Sequence, residues 1–263
     1  MKLSIIIPVY NSSKILDKLI ISIIFHAKKI IKLSDFEIIL VNDCSQDDSW
    51  NIILELSKKY KIVKGINLAR NFGQHSSILA GLKNSKGHKI ITMDDDFEHP
   101  PAYIKKFFYE LDICDACYTY YLRRKHSLIK KAISHLNNLI SSFLLNKPIK
   151  IYLSSYRGFN KKIKEKIIKY KKKYIYLDYL ILINSKKINM ISIQHGKRLS
   201  GKSNYSIFKL FKLWSSMILS IDTFPLTIHS VFNFFLKLIV TLLFKKNEKK
   251  QYFIKHRTFK INN

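Results

Sequence analysis

The apolar positions of this chain change period as they run from residue 3 onward. Residues 3–9 form an apolar, isoleucine-rich run broken only by Ser4 and Pro8, as suits a buried strand, with Tyr10 and Asn11 on the loop behind it. Ser12 or Ser13 then serves as a helix cap, and Ile15, Leu16, Leu19, Ile20, Ile23 and Ile24 recur at helical spacing. A second strand covers 36–41 and ends in the polar turn Asn42-Asp43-Cys44-Ser45-Gln46-Asp47-Asp48-Ser49, where the next helix starts. A weaker third strand covers 62–68, and Arg70-Asn71-Phe72-Gly73-Gln74-His75 leads into a helix that stops near Gly81 or Gly87. The fourth strand, 88–93, runs into Asp94-Asp95-Asp96-Phe97-Glu98-His99 and is stopped by Pro100-Pro101. Strand and helix alternate four times with polar residues at each strand's C-terminal end. That pattern predicts an α/β fold built on a mostly parallel, doubly wound sheet with its site along one edge.

Past Pro101 the pattern predicts a helix to about residue 111 and a strand over 112–121. Arg123-Arg124-Lys125-His126 then opens a helical stretch to 146, which reads either as a membrane-facing element or as a core helix with a solvated basic end. Residues 161–173 predict a basic, solvated or membrane-facing helix. In 207–224, Phe208, Phe211, Trp214, Met217, Ile218 and Ile221 share one face, as in an interfacial amphipathic helix. Residues 226–244 approach spanning length but hold Lys237, and Lys245-Lys246 and Lys249-Lys250 follow as positive-inside anchors would.

The chain has 263 residues, 47 Lys+Arg and 18 Asp+Glu, for a net charge of +29. Such an excess calls for an anionic partner: a membrane surface, a phosphorylated substrate or a nucleic acid. Nucleic acid is set aside, because no recognition motif is present and the aromatic residues do not interleave with the basic ones. Cys114 and Cys117 form a C-x-x-C without a second pair, so reduced, packed thiols are expected rather than zinc. The chain opens straight into a strand, without the pattern of a signal peptide.

Three adjacent carboxylates at a strand end repel one another unless they are neutralised. Asp94, Asp95 and Asp96 therefore read either as a Mg²⁺ or Mn²⁺ site, with Glu98 nearby, or as a solvated acidic turn. Asp178 stands alone in Tyr174-Ile-Tyr-Leu-Asp178-Tyr-Leu-Ile-Leu-Ile183. A lone carboxylate among apolar residues has its pKa raised and suits a general base; the other reading is a helix N-cap. Arg198, Gly201 and Lys202 lie in a basic loop whose cations and glycine suit a diphosphate clamp.

Four motifs in order, Ile5-Ile-Ile-Pro8-Val-Tyr10-Asn11, Val41-Asn-Asp43-Cys-Ser45-Gln-Asp47, Ala69-Arg70-Asn71-Phe72-Gly73-Gln74 and Asp94-Asp95-Asp96-Phe-Glu-His99-Pro100-Pro101, resemble family 2 glycosyltransferases. The branch resembled is that of polyprenyl-phosphate sugar synthases and O-antigen or lipopolysaccharide sugar transferases, over roughly residues 3–225. Ser154-Ser155-Tyr156-Arg157-Gly158-Phe159 resembles the segment that opens their acceptor half. The resemblance implies a GT-A (Rossmann-like) fold and an inverting, metal-dependent transferase with Mg²⁺ or Mn²⁺ as cofactor. It places Pro8, Tyr10, Asn11, Asp43, Ser45, Arg70, Asn71, Asp94 and Asp95 around the NDP-sugar, UDP- or GDP-linked. It gives the metal to Asp94, Asp96 and Glu98, the role of base to Asp178, and leaving-group stabilisation to Arg198 and Lys202. Two positions depart from the pattern: Asn42 stands where many members have Asp, and Glu98 where the lipid-phosphate branch often has Gln.

The expected organisation is a glycosyltransferase domain over 1–206, with donor half 1–121 and acceptor half 122–206, membrane-associating helices over 207–250, and a tail over 251–263. Family members usually carry two spans where this chain has at most one, so a shortened C-terminus is expected. The expected acceptor is a polyprenyl phosphate or a lipid-linked glycan, with no base needed for the phosphate. The expected place is the cytoplasmic face of the inner or plasma membrane, against its anionic surface; a homo-oligomer is left open. The alternative is a catalytically decayed, membrane-associated scaffold on the same fold.

Overall fold

The computed structural model describes residues 1–121, 128–171, 175–194, 214, 217–219 and 252–259. Its strands are β1 (Leu3–Val9), β2 (Phe36–Asn42), β3 (Val63–Leu68), β4 (Lys89–Thr92), β5 (Ala116–Tyr121), β6 (Arg157–Asn160), β7 (Ile188–Ile193) and β8 (Ile254–Arg257). The α-helices are α1 (Ser13–Lys28), α2 (Ser49–Lys59), α3 (Gln74–Lys83), α4 (Ile104–Glu110), α5 (Leu128–Leu145), α6 (Lys161–Ile168) and α7 (Leu177–Asn184). All strands join one eight-stranded sheet in the order β7-β5-β6-β4-β1-β2-β3-β8. The pairs β1–β2, β1–β4, β2–β3 and β5–β7 are parallel; β4–β6, β5–β6 and β3–β8 are antiparallel. The expected mostly parallel α/β architecture is therefore present.

Both faces of the sheet are covered, which is why its central strands are apolar at every other and intervening position alike. Leu3, Ile5 and Ile7 of β1 pack in one core with Leu16, Leu19, Ile20 and Ile23 of α1. Ile6, Ile39 and Val41 pack in the other with Ile78, Leu79 and Leu82 of α3. Pro8 interrupts nothing: the β1–β4 ladder ends at Ile6↔Thr92, so its missing N–H falls beyond that pairing.

Several expectations shift. The strand expected over 112–121 begins at Ala116, because Asp115 accepts the backbone N–H of Lys186 and Lys187 and the Asn160 amide, which holds the preceding turn. The basic helix expected over 161–173 is the eight-residue α6, and it is not wholly solvated: Lys164 is buried and its Nζ donates to the Ser85 carbonyl at 3.0 Å. Residues 254–257, set aside in the sequence as tail, pair along β3 as an edge strand. Residues 123–126, the stretch 195–206 with Arg198 and Lys202, and the helix expected over 226–244 lie outside the described residues. Of the helix expected over 207–224 only Trp214 and 217–219 are described; Met217 and Ile218 are buried, and Trp214 Nε1 donates to Asn137 Oδ1 at 2.9 Å. Among the described residues no helix is long and apolar enough to cross a membrane.

Candidate active site

The parallel strands β1, β2 and β4 deliver their C-terminal loops to one edge, where side chains tie the loops to one another. Asn11 N–H donates to Ser45 Oγ at 3.0 Å, Gln46 N–H to Asn11 Oδ1 at 2.8 Å and Ser13 N–H to Asp47 Oδ2 at 3.0 Å. Asn42 Nδ2 donates to Asn67 Oδ1 at 2.8 Å, which links the ends of β2 and β3; a neutral amide here can donate, as a carboxylate could not. Asp43 is buried and accepts Phe72 N–H and Gly73 N–H, each at 2.8 Å, so both its oxygens hold the loop that carries Arg70 and Asn71. Burial raises its pKa, and these two bonds oppose the rise. The loops are tightly turned. Asn11, Cys44 and Phe97 all have positive φ (56°, 58° and 63°), costly for an aromatic residue such as Phe97, and Gly73 reaches 86°.

The three aspartates take different hydrogen-bond partners. Asp94 accepts from Gln74 Nε2 at 2.6 Å and from Ser155 Oγ at 2.6 Å. Asp95 turns toward β1 and accepts Tyr10 N–H at 3.1 Å and Ser12 Oγ at 2.5 Å. Burial pushes its carboxyl up to about 6. The Ser12 hydroxyl is thus used here and not as the helix cap its position suggested. Asp96 is buried and accepts Glu98 N–H at 3.0 Å. Asp94, Asp96 and Glu98 consequently do not assemble as a set: among the described residues no three His, Cys, Asp or Glu side chains form a group that could hold a metal. His99, buried and stacked on Tyr156 at 5.0 Å, accepts Asp94 N–H on Nδ1 at 2.9 Å. Its 3.8 Å approach to the Asp94 carboxylate is therefore no ion pair through that nitrogen.

Behind the aspartates, Arg157 of β6 pairs with Asp178 in the first turn of α7, both buried. The premise of a lone carboxylate in apolar surroundings is corrected: Asp178 has a guanidinium partner, and the N-cap of α7 is Tyr176. His75 lies close to this pair; burial first, then the Arg157 charge, lower its pKa to about 4, so the imidazole is neutral at physiological pH. Lys147, also buried, donates to Asn138 Oδ1 at 2.8 Å, Ser142 Oγ at 3.0 Å and the Ile151 carbonyl at 2.6 Å. Burial lowers its pKa to about 8.

Tyr10, Asn11, Asp43, Ser45, Arg70, Asn71 and Asp94 to Asp96 thus lie on the loops that gather at this edge; Pro8, expected on the first of them, is instead the penultimate residue of β1, paired with Val41, and Asp178 sits apart, with Arg157. The sequence reading missed the roles of Gln74, Ser155, His99 and Arg157, all of which lie inside quoted motifs. A signal for Arg157 existed: an arginine in a strand between Tyr156 and Gly158 needs a counter-charge, and Asp178 was the acid without a partner.

Residues 4–168 match the family described as Glycosyl transferase family 2. The undecaprenyl-phosphate 4-deoxy-4-formamido-L-arabinose transferase of Salmonella choleraesuis is 29% identical over 232 residues, covering 88% of this chain and 70% of that protein. Among solved structures, S. aureus TarS 1–349 in complex with UDP superposes with a TM-score of 0.55 at 22% identity, covering 93% of this chain and 72% of that one. Glucosyl-3-phosphoglycerate synthase from Mycobacterium tuberculosis, solved with Mn²⁺, UDP and phosphoglyceric acid, gives 0.59 at 12% identity, covering 84% and 80%. These two likenesses bear on the fold alone, and they agree with the GT-A expectation. With more than half of its length matched by the family, this chain is a member of glycosyltransferase family 2.

Proposed function

We propose that this chain moves a sugar from a UDP- or GDP-sugar to a polyprenyl phosphate, with inversion, at the cytoplasmic face of the membrane that carries the lipid. The observation that carries the reading is the Asp94 carboxylate, held between Gln74 of the donor half and Ser155 of the acceptor half. It marks the strand end where two substrates would meet. The loops after β1, β2 and β3 wall the nucleotide, with Asp43 holding the Arg70–Asn71 loop in place.

Asp94 and Asp96 suit Mg²⁺ or Mn²⁺. Such ions are commonly held by one or two carboxylates together with substrate phosphates, so the lack of a third protein ligand among the described residues fits a site completed by the donor diphosphate. When bound, the cation supplies charge neutralisation at the leaving diphosphate. Arg198 and Lys202 are proposed to add to it.

The acceptor assignment draws on the Arg157–Asp178 pair. The Asp178 carboxylate is engaged by the Arg157 guanidinium, whereas a phosphate monoester is already anionic and needs no base. An acceptor phosphate oxygen forms the bond to the anomeric carbon as the bond to the diphosphate oxygen breaks on the opposite face. The relative named for undecaprenyl phosphate supports this choice. A second reading, a hydroxyl acceptor with Asp178 as base, is favoured by the burial of Asp178 beside the neutral His75.

Calorimetry against UDP and GDP, with and without Mn²⁺, tests the donor site, and transfer from labelled donor to undecaprenyl phosphate tests the acceptor. Metal-dependent binding of one nucleotide, lost in Asp96→Ala, is expected. A folded protein that binds neither nucleotide would sink the proposal and favour a scaffold role. Asp178→Asn separates the acceptor readings: a hydroxyl-acceptor enzyme loses about 10²–10⁴-fold in kcat, a phosphate-acceptor enzyme far less.

A further inference from the structure

We infer that the C-terminal strand is a positioning element of the nucleotide pocket, with Phe253 clamping the 69–73 loop from outside; this rests on the donor-site reading above. β8 runs antiparallel along the outer edge of β3, with Ile66 opposite Arg257, Asn67 opposite His256 and Leu68 opposite Ile254. At one end the strand is fixed by Thr258, whose Oγ1 accepts Gly65 N–H at 2.7 Å and whose N–H donates to the Gly65 carbonyl at 3.0 Å. At the other end Ala69 N–H donates to the Phe253 carbonyl at 2.9 Å, one residue before Arg70. The Phe253 ring lies 6.1 Å from that of Phe72, and the Arg70 guanidinium sits 4.8 Å over the Phe72 ring. Arg70, Phe72 and Phe253 thus make a chain of contacts from pocket to edge strand.

The loop therefore has two holds from distant parts of the sequence. Asp43 grips the backbone of Phe72 and Gly73 from within the sheet, and β8 grips Ala69 and Phe72 from its edge. Phe253 is 43% exposed and is not one of the buried core residues, so its placement against Phe72 serves the loop more than the core. A loop fixed before the ligand arrives loses less freedom when a nucleoside diphosphate binds, which raises affinity without adding a contact.

The test compares wild type, Phe253→Ala and Phe253→Tyr by calorimetry against UDP and GDP with Mn²⁺, by thermal melting, and by amide exchange over 69–73 without ligand. Expected for Phe253→Ala are binding weaker by about five- to tenfold, faster exchange over 69–73 and a melting point close to wild type, with Phe253→Tyr restoring both binding and exchange. In turnover the donor KM rises and kcat holds. Wild-type affinity and exchange in Phe253→Ala would overturn the inference, as would a loss of affinity that follows a lowered melting point in both variants. Wild type binding neither nucleotide overturns the transferase reading, and the pocket role with it.

Discussion

Arg157 and Asp178 are each nearly inaccessible to water, and each is the other's counter-charge. Removing one partner strands the other, whereas removing both can be nearly neutral. Arg157→Met is expected to lower unfolding free energy by about 3–5 kcal/mol, and Arg157→Met with Asp178→Leu to recover most of that, as read from urea unfolding. Equal losses in the single and double variants would mean that the two charges do not depend on each other. His75 adds a pH term. Its folded pKa of about 4 lies below the unfolded value of 6.5, so its contribution is whole above 6.5 and is lost as pH falls through 4. His75→Gln should flatten the acid limb of stability by up to about 3 kcal/mol between pH 7 and 4 relative to wild type. Asp95, raised to about 6, acts in the opposite sense, which is why the comparison is between variant and wild type. At this scale the sequence exposed the acids but not their partners. Asp94, Asp95 and Asp96 announce themselves as a run, while Ser155 and Gln74 meet Asp94 only after β6 has paired with β4 and α3 has packed on β1 and β2. No local pattern encodes that meeting.

The elements were more legible than their partners, for a reason visible in β1 and β2. Strands buried on both faces are written as nearly continuous apolar runs, and the helix between them as a face of isoleucines and leucines, so their type and bounds follow from periodicity. β8 had no such mark. Phe253-Ile-Lys-His-Arg257 mixes charge and apolar side chains as an exposed edge strand does, and its partner lies far away in sequence. The opposite end of the sheet holds a second unannounced feature. Glu37, wholly buried on β2, accepts Ser4 Oγ at 2.6 Å and Lys86 N–H at 2.5 Å and pairs with Lys64. Gly87 N–H donates to the same Ser4 hydroxyl at 2.8 Å. A Cβ on Gly87 would stand 2.5 Å from Ser4 N and 2.7 Å from Leu3 C, backbone that cannot yield without moving β1. Gly87→Ala is therefore expected to cost about 1–3 kcal/mol in urea unfolding while leaving nucleotide affinity unchanged, since this edge is remote from the strand ends that carry the site. A stability equal to wild type would mean the loop before β4 shifts freely, against the hydrogen bonds that fix it.

At the scale of the whole molecule the charge of +29 and the placement of apolar surface point the same way. α5 buries Leu144 and Leu145 but leaves Leu136, Leu139 and Phe143 exposed at 51%, 42% and 48%, spaced as one face of the helix. An apolar helix face on a strongly basic protein suits an anionic bilayer: long-range attraction brings the protein to the surface, and apolar contact holds it there. The two contributions separate by salt, because the Debye length falls from about 10 Å at 0.1 M to about 3 Å at 1 M while apolar burial does not weaken. The purified protein should therefore float with vesicles containing anionic lipid at low salt, much less with neutral vesicles, and should lose most but not all of that binding at 1 M. Leu139→Glu with Phe143→Glu should remove the salt-resistant remainder and leave calorimetric nucleotide binding in solution intact. Binding indifferent to lipid charge and salt would defeat the electrostatic half of the argument, and an unaltered remainder in the double variant would defeat the assignment to α5. If both halves hold, a nucleotide site at the sheet edge and a lipid-facing α5 belong to one surface-bound catalyst, and donor turnover should rise when anionic vesicles carry the polyprenyl phosphate.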